Sequence, residues 1–489
     1  MKVREALGYS ASRQFIDPKN VAKLPANELT FALRLASIEC SKLGADGGVQ
    51  FQGVYVLRRQ SQGPAIPVVY LVRVGSETAA RHVHRFVWNQ NQTPFLIVES
   101  PSTIRLYPGF AFKREGDHPL LSVEKNAANA LSQLAAFHAE AIDDGTIWRY
   151  WAHAVNPLER VDETLLRDLE SLDKRLQQEG IDRNAAHGLI GKFVYLRYLR
   201  DRDILSDRKL LNWDIDPEEL FTENATLATF RNVDTELQKW LNGAVFSLGD
   251  TEMSGVTESQ LQLVAGVFRG GSAIGTNAFQ PSLFDAYNFS HIPIETLSCV
   301  YEQFLHDAKE ESGSSRGKSL GAYYTPLPLA DYVLSELERR RPLKPGMKVL
   351  DPACGSGAFL VQCYRRLIEK QRRLEGRDLK KTELRELLTS HIFGIDRDDD
   401  ACRIAELSLI LTLLDYVEPP DLEDTTFKLP CLRGQNIIGP STDVDGKSGN
   451  ADFFDESGQV YEFLSKNRFD WIVGNPPWSE VKKTPDHSH

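Results

Sequence analysis

Three short stretches carry residue types whose spacing can do chemistry. DPACGSGAFL (351–360) follows the strand-like run MKVL and precedes a helical pattern. Gly355 and Gly357 permit a tight turn and a close ligand approach, and the helix behind them points its unpaired amides and positive dipole end at the turn. The stretch has no Gly-Lys-Ser/Thr ending and does not match G-x-G-x-x-G, because Ala358, Phe359 and Leu360 follow Gly357. It is therefore neither a phosphate loop nor a dinucleotide fingerprint, but its place between strand and helix favours a nucleotide-like ligand. Asp396 ends the next strand-like run, HIFGID, where a carboxylate can accept hydrogen bonds from ribose hydroxyls. A dehydrogenase fits these two stretches as well as other nucleotide enzymes do.

The third stretch, NPPW (475–478), separates these readings. Pro476 and Pro477 restrict φ and bias the residue before each of them, so the backbone from Asn475 to Trp478 is stiff before anything binds. An asparagine oxygen and a nearby carbonyl can accept both hydrogens of an exocyclic amine, and an aromatic side chain can stack on the ring that bears it. Asp399 and Asp400 read as helix-start residues, and Cys354 as a small buried residue of the turn.

Regular elements must position these residues. From 321 to 489 strands alternate with helices, which predicts an α/β domain with a largely parallel, doubly wound sheet and helices on both faces. From 121 to 310 the pattern is helical: Ala127, Leu131, Leu134 and Ala135 form one apolar stripe, Leu189, Phe193, Leu196 and Leu199 another, and Leu297, Tyr301, Phe304 and Leu305 a third. The charged block between the first two predicts a solvated helix. Residues 311–320, a polar Gly/Ser run, read as a flexible linker or loop. Residues 1–120 predict a small mixed α/β domain of three to five strands, with GVYVLRR, VVYLVRV, PFLIVES and STIRLYPGF as strands and ETAARHVHRFVWNQ as a helix. His82 and His84 diverge on that helix, which argues against a metal pair.

GAYYTP (321–326), DPACGSG (351–357), GIDRD (394–398) and NPPW (475–478) occur in an order that resembles adenine-specific (N6) DNA methyltransferases of the large single-chain restriction-modification type. The resemblance implies a Rossmann-like S-adenosylmethionine-dependent methyltransferase domain preceded by a helical domain and the small amino-terminal module. It implies that Tyr324, Thr325 and Pro326 border the methionine end of S-adenosyl-L-methionine, that Asp351 meets its amino group, and that Ala353, Gly355 and Gly357 form a backbone wall. Asp396 would hold the ribose hydroxyls, with Ile395 or Arg397 along the adenine, and Gln435 or Asn436 would meet the cofactor base. A target adenine of double-stranded DNA, rotated out of the helix, would stack on Trp478 and present its N6 amine to Asn475 and the Pro476 carbonyl, beside Pro477. The implied role is site-specific DNA adenine methylation in restriction-modification or related phage defence.

In that family the sheet continues past NPPW and a target-recognition domain follows, and SEVKKTPDHSH is too short for either. The expectation is an incomplete methyltransferase domain, with the alternative of a noncatalytic or split subunit that a complementary chain completes. The amino-terminal module resembles the domain that carries a nuclease site in some relatives. Its strands, however, lack the acid and E-x-K set: Ala79 stands two after Glu77, Pro101 two after Glu99, and Glu124 with Lys125 has the wrong spacing. A degenerate, structural or DNA-contacting version is expected.

Composition adds limits rather than chemistry. The formal net charge is −11, whereas a nucleic-acid partner favours a positive surface; the basic runs at 339–348 and 364–381 read as a solvated helix face or a phosphate-facing patch. Six cysteines, at 40, 299, 354, 363, 402 and 431, form no paired CxxC set, so no metal site is expected. Without a bilayer-length apolar run or a signal-peptide pattern, the expected location is the cytoplasm, with no membrane partner.

Overall fold

The computed structural model describes residues 3–18, 48–58, 65–125, 130–222, 224–241, 255–269, 284, 286–307, 325, 327–417, 427–440, 451, 453 and 456–476. Residues 311–320, Tyr324, Pro326, Pro477 and Trp478 lie outside them. Contacts divide the chain into two compact units: Met1–Val233 with Asp250–Thr296 and Ser335–Pro342, and Asp234–Gly249 with Leu297–Leu334 and Leu343–His489.

The first unit holds a six-stranded sheet whose strands lie side by side in chain order: β1 (Phe15–Ile16), β2 (Gln50–Leu57), β3 (Ile66–Arg73), β4 (Phe95–Glu99), β5 (Thr103–Pro108) and β6 (Leu121–Glu124). Neighbours are antiparallel except β3 and β4, which run parallel because the helix Glu77–Gln90 carries the chain back between them. Alternation along the strands buries both faces. Val54, Val56, Tyr70, Val72, Leu96 and Val98 pack with Ala80, Val83 and Val87 of that helix, while Tyr55, Val69, Leu71, Phe95 and Ile97 pack with Leu7, Leu134, Phe137 and Ile142. The strands expected from sequence are all present, and β1 and β6 flank them. His84 is buried with its Nε2 2.8 Å from the Pro108 carbonyl, and desolvation pushes its pKa down to about 4; His82 is exposed.

Of the helical segments, Arg183–Asp201 and Val161–Gln178 form as the spacing predicts, and Leu189, Phe193, Leu196 and Leu199 are all buried. The charged helix also buries a side, Leu165, Leu169, Leu172 and Leu176, so it is solvated on one face only. The stripe at 127–135 departs from expectation. Instead of one helix, the chain makes three short turns, Ala130–Gln133, Ala135–Phe137 and Ala139–Asp143, with Leu134 buried and Ala135 exposed; Ala127 lies outside the described residues. Backbone groups in this segment bond elsewhere: the Phe137 carbonyl accepts from the Tyr9 hydroxyl at 2.8 Å, and the Ala139 amide donates to the Leu7 carbonyl at 2.9 Å.

The second unit holds a four-stranded, wholly parallel sheet in the order β10–β7–β8–β9: β7 (Val349–Asp351), β8 (Ile392–Ile395), β9 (Ile437–Ile438) and β10 (Trp471–Ile472). The chain runs outward from β7 through β8 to β9 and returns to the other side of β7 as β10, so the order reverses between β7 and β10. Leu350, Phe393, Ile395 and Ile438 pack with Val460 and with Phe463 of the helix Gln459–Lys466. Short strands suffice because two long helices stand behind them: Ala358–Glu375, whose first eleven residues are largely buried, and the mostly apolar Asp399–Asp415.

The basic run at 364–381 is largely spent inside this unit. Arg365 is buried against Asp415 at 2.8 Å and Arg366 against Asp331 at 2.5 Å, while Arg372 and Arg377 pair with nearby carboxylates. The helix that bears it has 18 residues starting at the glycine turn, which puts its basic end about 27 Å from that turn. Replacing Arg365 by Leu leaves Asp415 buried without its cation and is expected to lower stability by about 3–5 kcal/mol. Urea unfolding of the variant and of the double replacement with Asp415→Leu checks this, with the double variant recovering part of the loss.

Candidate functional site

The glycine turn is shaped by bonds that reach across the sheet. The Cys354 amide donates to the Ile395 carbonyl at 2.9 Å, and the Gly355 amide donates to Oδ2 of Asp396 at 2.8 Å. Gly355 and Gly357 have φ of 51° and 88°, a left-handed conformation that side chains resist. A Cβ on Gly357 would also stand 3.3 Å from the Ala405 backbone. Close packing recurs behind the turn, where a Cβ on Gly394 would come within 2.7 Å of Leu360 and 3.0 Å of the Cys354 sulfur. Burial pushes the Cys354 thiol well up, so it stays protonated, as suits a packing residue.

Asp396 does two local jobs. Its Oδ2 holds the turn, and its Oδ1 accepts from the Asp398 amide at 2.9 Å. Asp398 then caps the helix Asp399–Asp415 by accepting from the Asp400 amide at 3.0 Å. Burial, with repulsion from Asp398, raises the Asp396 pKa against the pull of its two amide donors.

Asp351, the last residue of β7, is 1% exposed and receives the Ala353 amide on Oδ1 at 3.0 Å. Burial, with the Asp396 charge adding to it, pushes its pKa up to about 7 against the Ala353 donor. On the other side of Asp351 comes the end of β10. Val473 bonds the Leu350 carbonyl at 2.9 Å, Gly474 passes directly over the Asp351 carboxylate, and Asn475 donates from Nδ2 to the Thr325 hydroxyl at 3.2 Å. Thr325, Asp351, Ala353, Gly355, Asp396, Asn475 and Pro476 thus gather at the carboxyl ends of three adjacent parallel strands, at the switch point where ligands bind in open α/β sheets.

Gln435 and Asn436 are not brought there. They precede β9, level with the amino-terminal end of β8, and the Asn436 amide donates to the Thr389 and Ile392 carbonyls at 2.9 and 2.8 Å. Asn436 ties the entrances of two strands together, while Gln435 is exposed at the same end, away from Asp396. The parallel register makes this unavoidable, because the residues level with Asp396 are those that follow Ile438, whose carbonyl accepts the Asp396 amide at 3.0 Å.

Sequence reasoning passed over three participants. Ser408, a buried hydroxyl in the apolar helix Asp399–Asp415, lies 2.9 Å from the Ser356 carbonyl of the glycine turn and 2.6 Å from the Ser298 hydroxyl, so it fastens the helix Ile294–Asp307 to the turn. Glu302 of that helix reaches the turn, with an oxygen 3.4 Å from where a Gly355 Cβ would be. Gly474 is the third. Only Ser408 left a signal, a serine amid leucines.

In the amino-terminal sheet, buried Glu99 is clamped by Lys125 at 2.5 Å and Arg73 at 3.1 Å, while Glu77 pairs with Arg105 and accepts from Ser100 and Ser102. The Glu99–Lys125 pair, unreadable from spacing, is assembled by strand pairing, and it is an ion cluster rather than a cation cradle. Among the described residues no group of three His, Cys, Asp or Glu side chains is placed to hold a metal ion. Among the same residues no helix is long and apolar enough to cross a membrane.

Residues 293–488 match the family model described as N-6 DNA Methylase. The type II restriction enzyme and methyltransferase RM.Eco57I of Escherichia coli is 31% identical over 147 residues, 27% of this chain and 14% of that protein. The adenine-specific methyltransferase PglX of Streptomyces coelicolor is 27% identical over 204 residues, 37% of this chain and 16% of that protein. The chain therefore spans less than a fifth of the length of these relatives. A solved type I restriction-modification methyltransferase subunit from Streptococcus thermophilus is 16% identical, covering 65% of this chain and 64% of its own, with a TM-score of 0.37. The cofactor of the matched family is S-adenosyl-L-methionine. The donor set fits it: a turn bared by two glycines for close approach, and two carboxylates of the right chemistry for an ammonium and for hydroxyls.

A stability test follows from Asp351. Its folded pKa lies above its unfolded value, so its contribution is fully present below about 4 and is lost as the pH rises through about 7. Asp351→Asn is expected to gain stability relative to the unchanged chain between pH 4 and 8, by up to roughly 4 kcal/mol. Paired denaturant curves across that range check it.

Proposed function

We propose, from the premise that residues 293–488 carry an N-6 DNA methylase domain, that this chain transfers a methyl group from S-adenosyl-L-methionine to the N6 amine of a flipped adenine in double-stranded DNA. The observation that carries the reading is the Asn475–Thr325 hydrogen bond beside Asp351. It draws the stiff Asn475-Pro476 corner against the residues suited to the cofactor, although they stand far apart in sequence.

The bound cofactor supplies an electrophilic methyl group on a sulfonium, and the chain does the rest. Asp351 meets a cationic amine, Asp396 accepts ribose hydroxyls, and Ala353, Gly355 and Gly357 form the bare wall between them. Nδ2 of Asn475 donates to Thr325, and Oδ1 of the same amide is the acceptor assigned to the adenine amine. The Pro476 carbonyl takes the second hydrogen, and Trp478 offers a stacking face. By the family resemblance, Tyr324 and Pro326 are assigned with Thr325 to the methionine end of the cofactor, and Pro477 to the stiff stretch before Trp478. An adenine amine is a weak nucleophile because its lone pair is delocalised into the ring. Two acceptors favour a pyramidal nitrogen and stabilise the positive charge that develops on it. No covalent protein nucleophile is needed, and the protonated Cys354 thiol is unsuited to that role.

The name of the Escherichia coli relative, a restriction enzyme and methyltransferase, supports a restriction-modification setting. A second reading, a subunit that needs a complementary chain for activity and DNA recognition, is favoured by one feature. β10 borders the sheet among the described residues, and Ile472 on it is 65% exposed, an apolar edge suited to a further strand.

Incubation of the full chain with labelled cofactor and duplex DNA tests both readings. Under the first, label enters adenine N6, and Asn475→Ala lowers the rate about 100-fold or more with cofactor binding retained. Cofactor binding without any transfer supports the second and rejects independent catalysis. Because Asp351 must ionise to pair with an ammonium, cofactor affinity is expected to fall about tenfold per unit below pH about 7, and Asp351→Asn is expected to flatten that slope.

A further inference from the structure

Gly474 is exposed and carries no left-handed φ, so its backbone conformation would accept any side chain. Space would not. A Cβ there would stand 2.6 Å from Oδ1 and 3.4 Å from Cγ of Asp351, the first far inside any real contact. Neither partner can move cheaply. The Asp351 carboxylate is buried and holds the Ala353 amide through the same Oδ1 at 3.0 Å. On the chain side, Val473 is pinned to the Leu350 carbonyl and Asn475 to the Thr325 hydroxyl, one residue either way from the glycine.

We infer that Gly474 is a positioning residue for the cofactor: its missing side chain lets the Asp351 carboxylate and the Asn475 corner occupy adjoining space, so a methyl group at 474 displaces Asp351. The inference rests on the methyl-transfer reading for the identity of the cofactor, but the contact itself does not. A consequence is that the corner assigned to the target amine and the carboxylate assigned to the cofactor share one wall. A side chain added at Gly474 intrudes on that wall.

Equilibrium binding of labelled S-adenosylmethionine to the full chain, carrying Gly474→Ala, Asp351→Ala, Asp351→Asn or the combinations, tests this. Gly474→Ala is expected to weaken binding at least tenfold in the unchanged background and again with Asp351→Asn, which keeps an oxygen in place. With Asp351→Ala, which removes it, the same substitution is expected to change affinity less than twofold. An effect below twofold in the unchanged background, or losses that multiply with Asp351→Ala, overturns the inference. If Asp351→Ala itself binds normally, the assignment of Asp351 to the cofactor fails, and the functional reading is what needs revision.

A cofactor-free measurement keeps the two apart. Carboxyl carbon-13 titration of Asp351 is expected to give a midpoint near pH about 7 in the unchanged chain and a shifted one in Gly474→Ala. An unmoved midpoint overturns the inference whether or not the chain binds cofactor. Thermal melting reports that the variant, altered at an exposed position, remains folded.

Discussion

The hydrogen bond from the Gly355 amide to the Asp396 carboxylate is the constraint on which the site depends. It joins the turn after one strand to the residue after the next, and the Cys354 amide bonded to the Ile395 carbonyl doubles it. Together they hold the left-handed glycines in a conformation the chain would not keep alone, with the amino end of the helix Ala358–Glu375 aimed into the space above. The same carboxylate accepts the Asp398 amide and so sets the start of the helix Asp399–Asp415. One side chain thereby organises two strand ends and a helix start.

Charge is handled differently around this turn than elsewhere. Asp351 is buried and Asp396 partly buried, each with amide donors, and both titrate above the usual carboxylate range because desolvation outweighs those donors. The buried carboxylates Glu99 and Asp415 are instead paired with cations, Lys125 and Arg73 for the first and Arg365 for the second. A carboxylate withdrawn from water and held by backbone amides is a poor way to stabilise a fold and a good way to receive a positive ligand. That contrast separates the site from the structural ion clusters more clearly than net charge does. The −11 of the whole chain averages over such differences, and within the basic run at 364–381 Arg365 and Arg366 are used internally.

Much of this is legible in the sequence. Period-two and period-3.6 patterns located the parallel sheet, its helices and the strands of the amino-terminal module, since burial imposes those periods wherever an element has one dry face. The turn at DPACGSG, Asp396 and the corner at Asn475 were legible because each depends on local backbone demands that only glycine, proline or an acid at a strand end satisfies. Asn436 misled because an amide near a strand reads the same at either end. Only the register showed that it braces the entrances of β8 and β9. The segment at 130–143 misled for a related reason: its helix-forming residues lose to long-range partners, Tyr9 and Leu7, that no local pattern contains.

The sequence by itself determined the kinds of element and the residues able to bind a nucleotide-like cofactor and hold an amine, because those are properties of side chains and of a few adjacent backbone angles. Tertiary structure decided which of them meet. Strand order placed Asn475 beside Asp351 rather than across the sheet, pairing joined Thr325 to Asn475, and packing gave Gly474 a function that its neighbours in sequence do not reveal. Contacts between distant segments are set by the single arrangement that buries every apolar face at once, and that arrangement is a property of the whole unit.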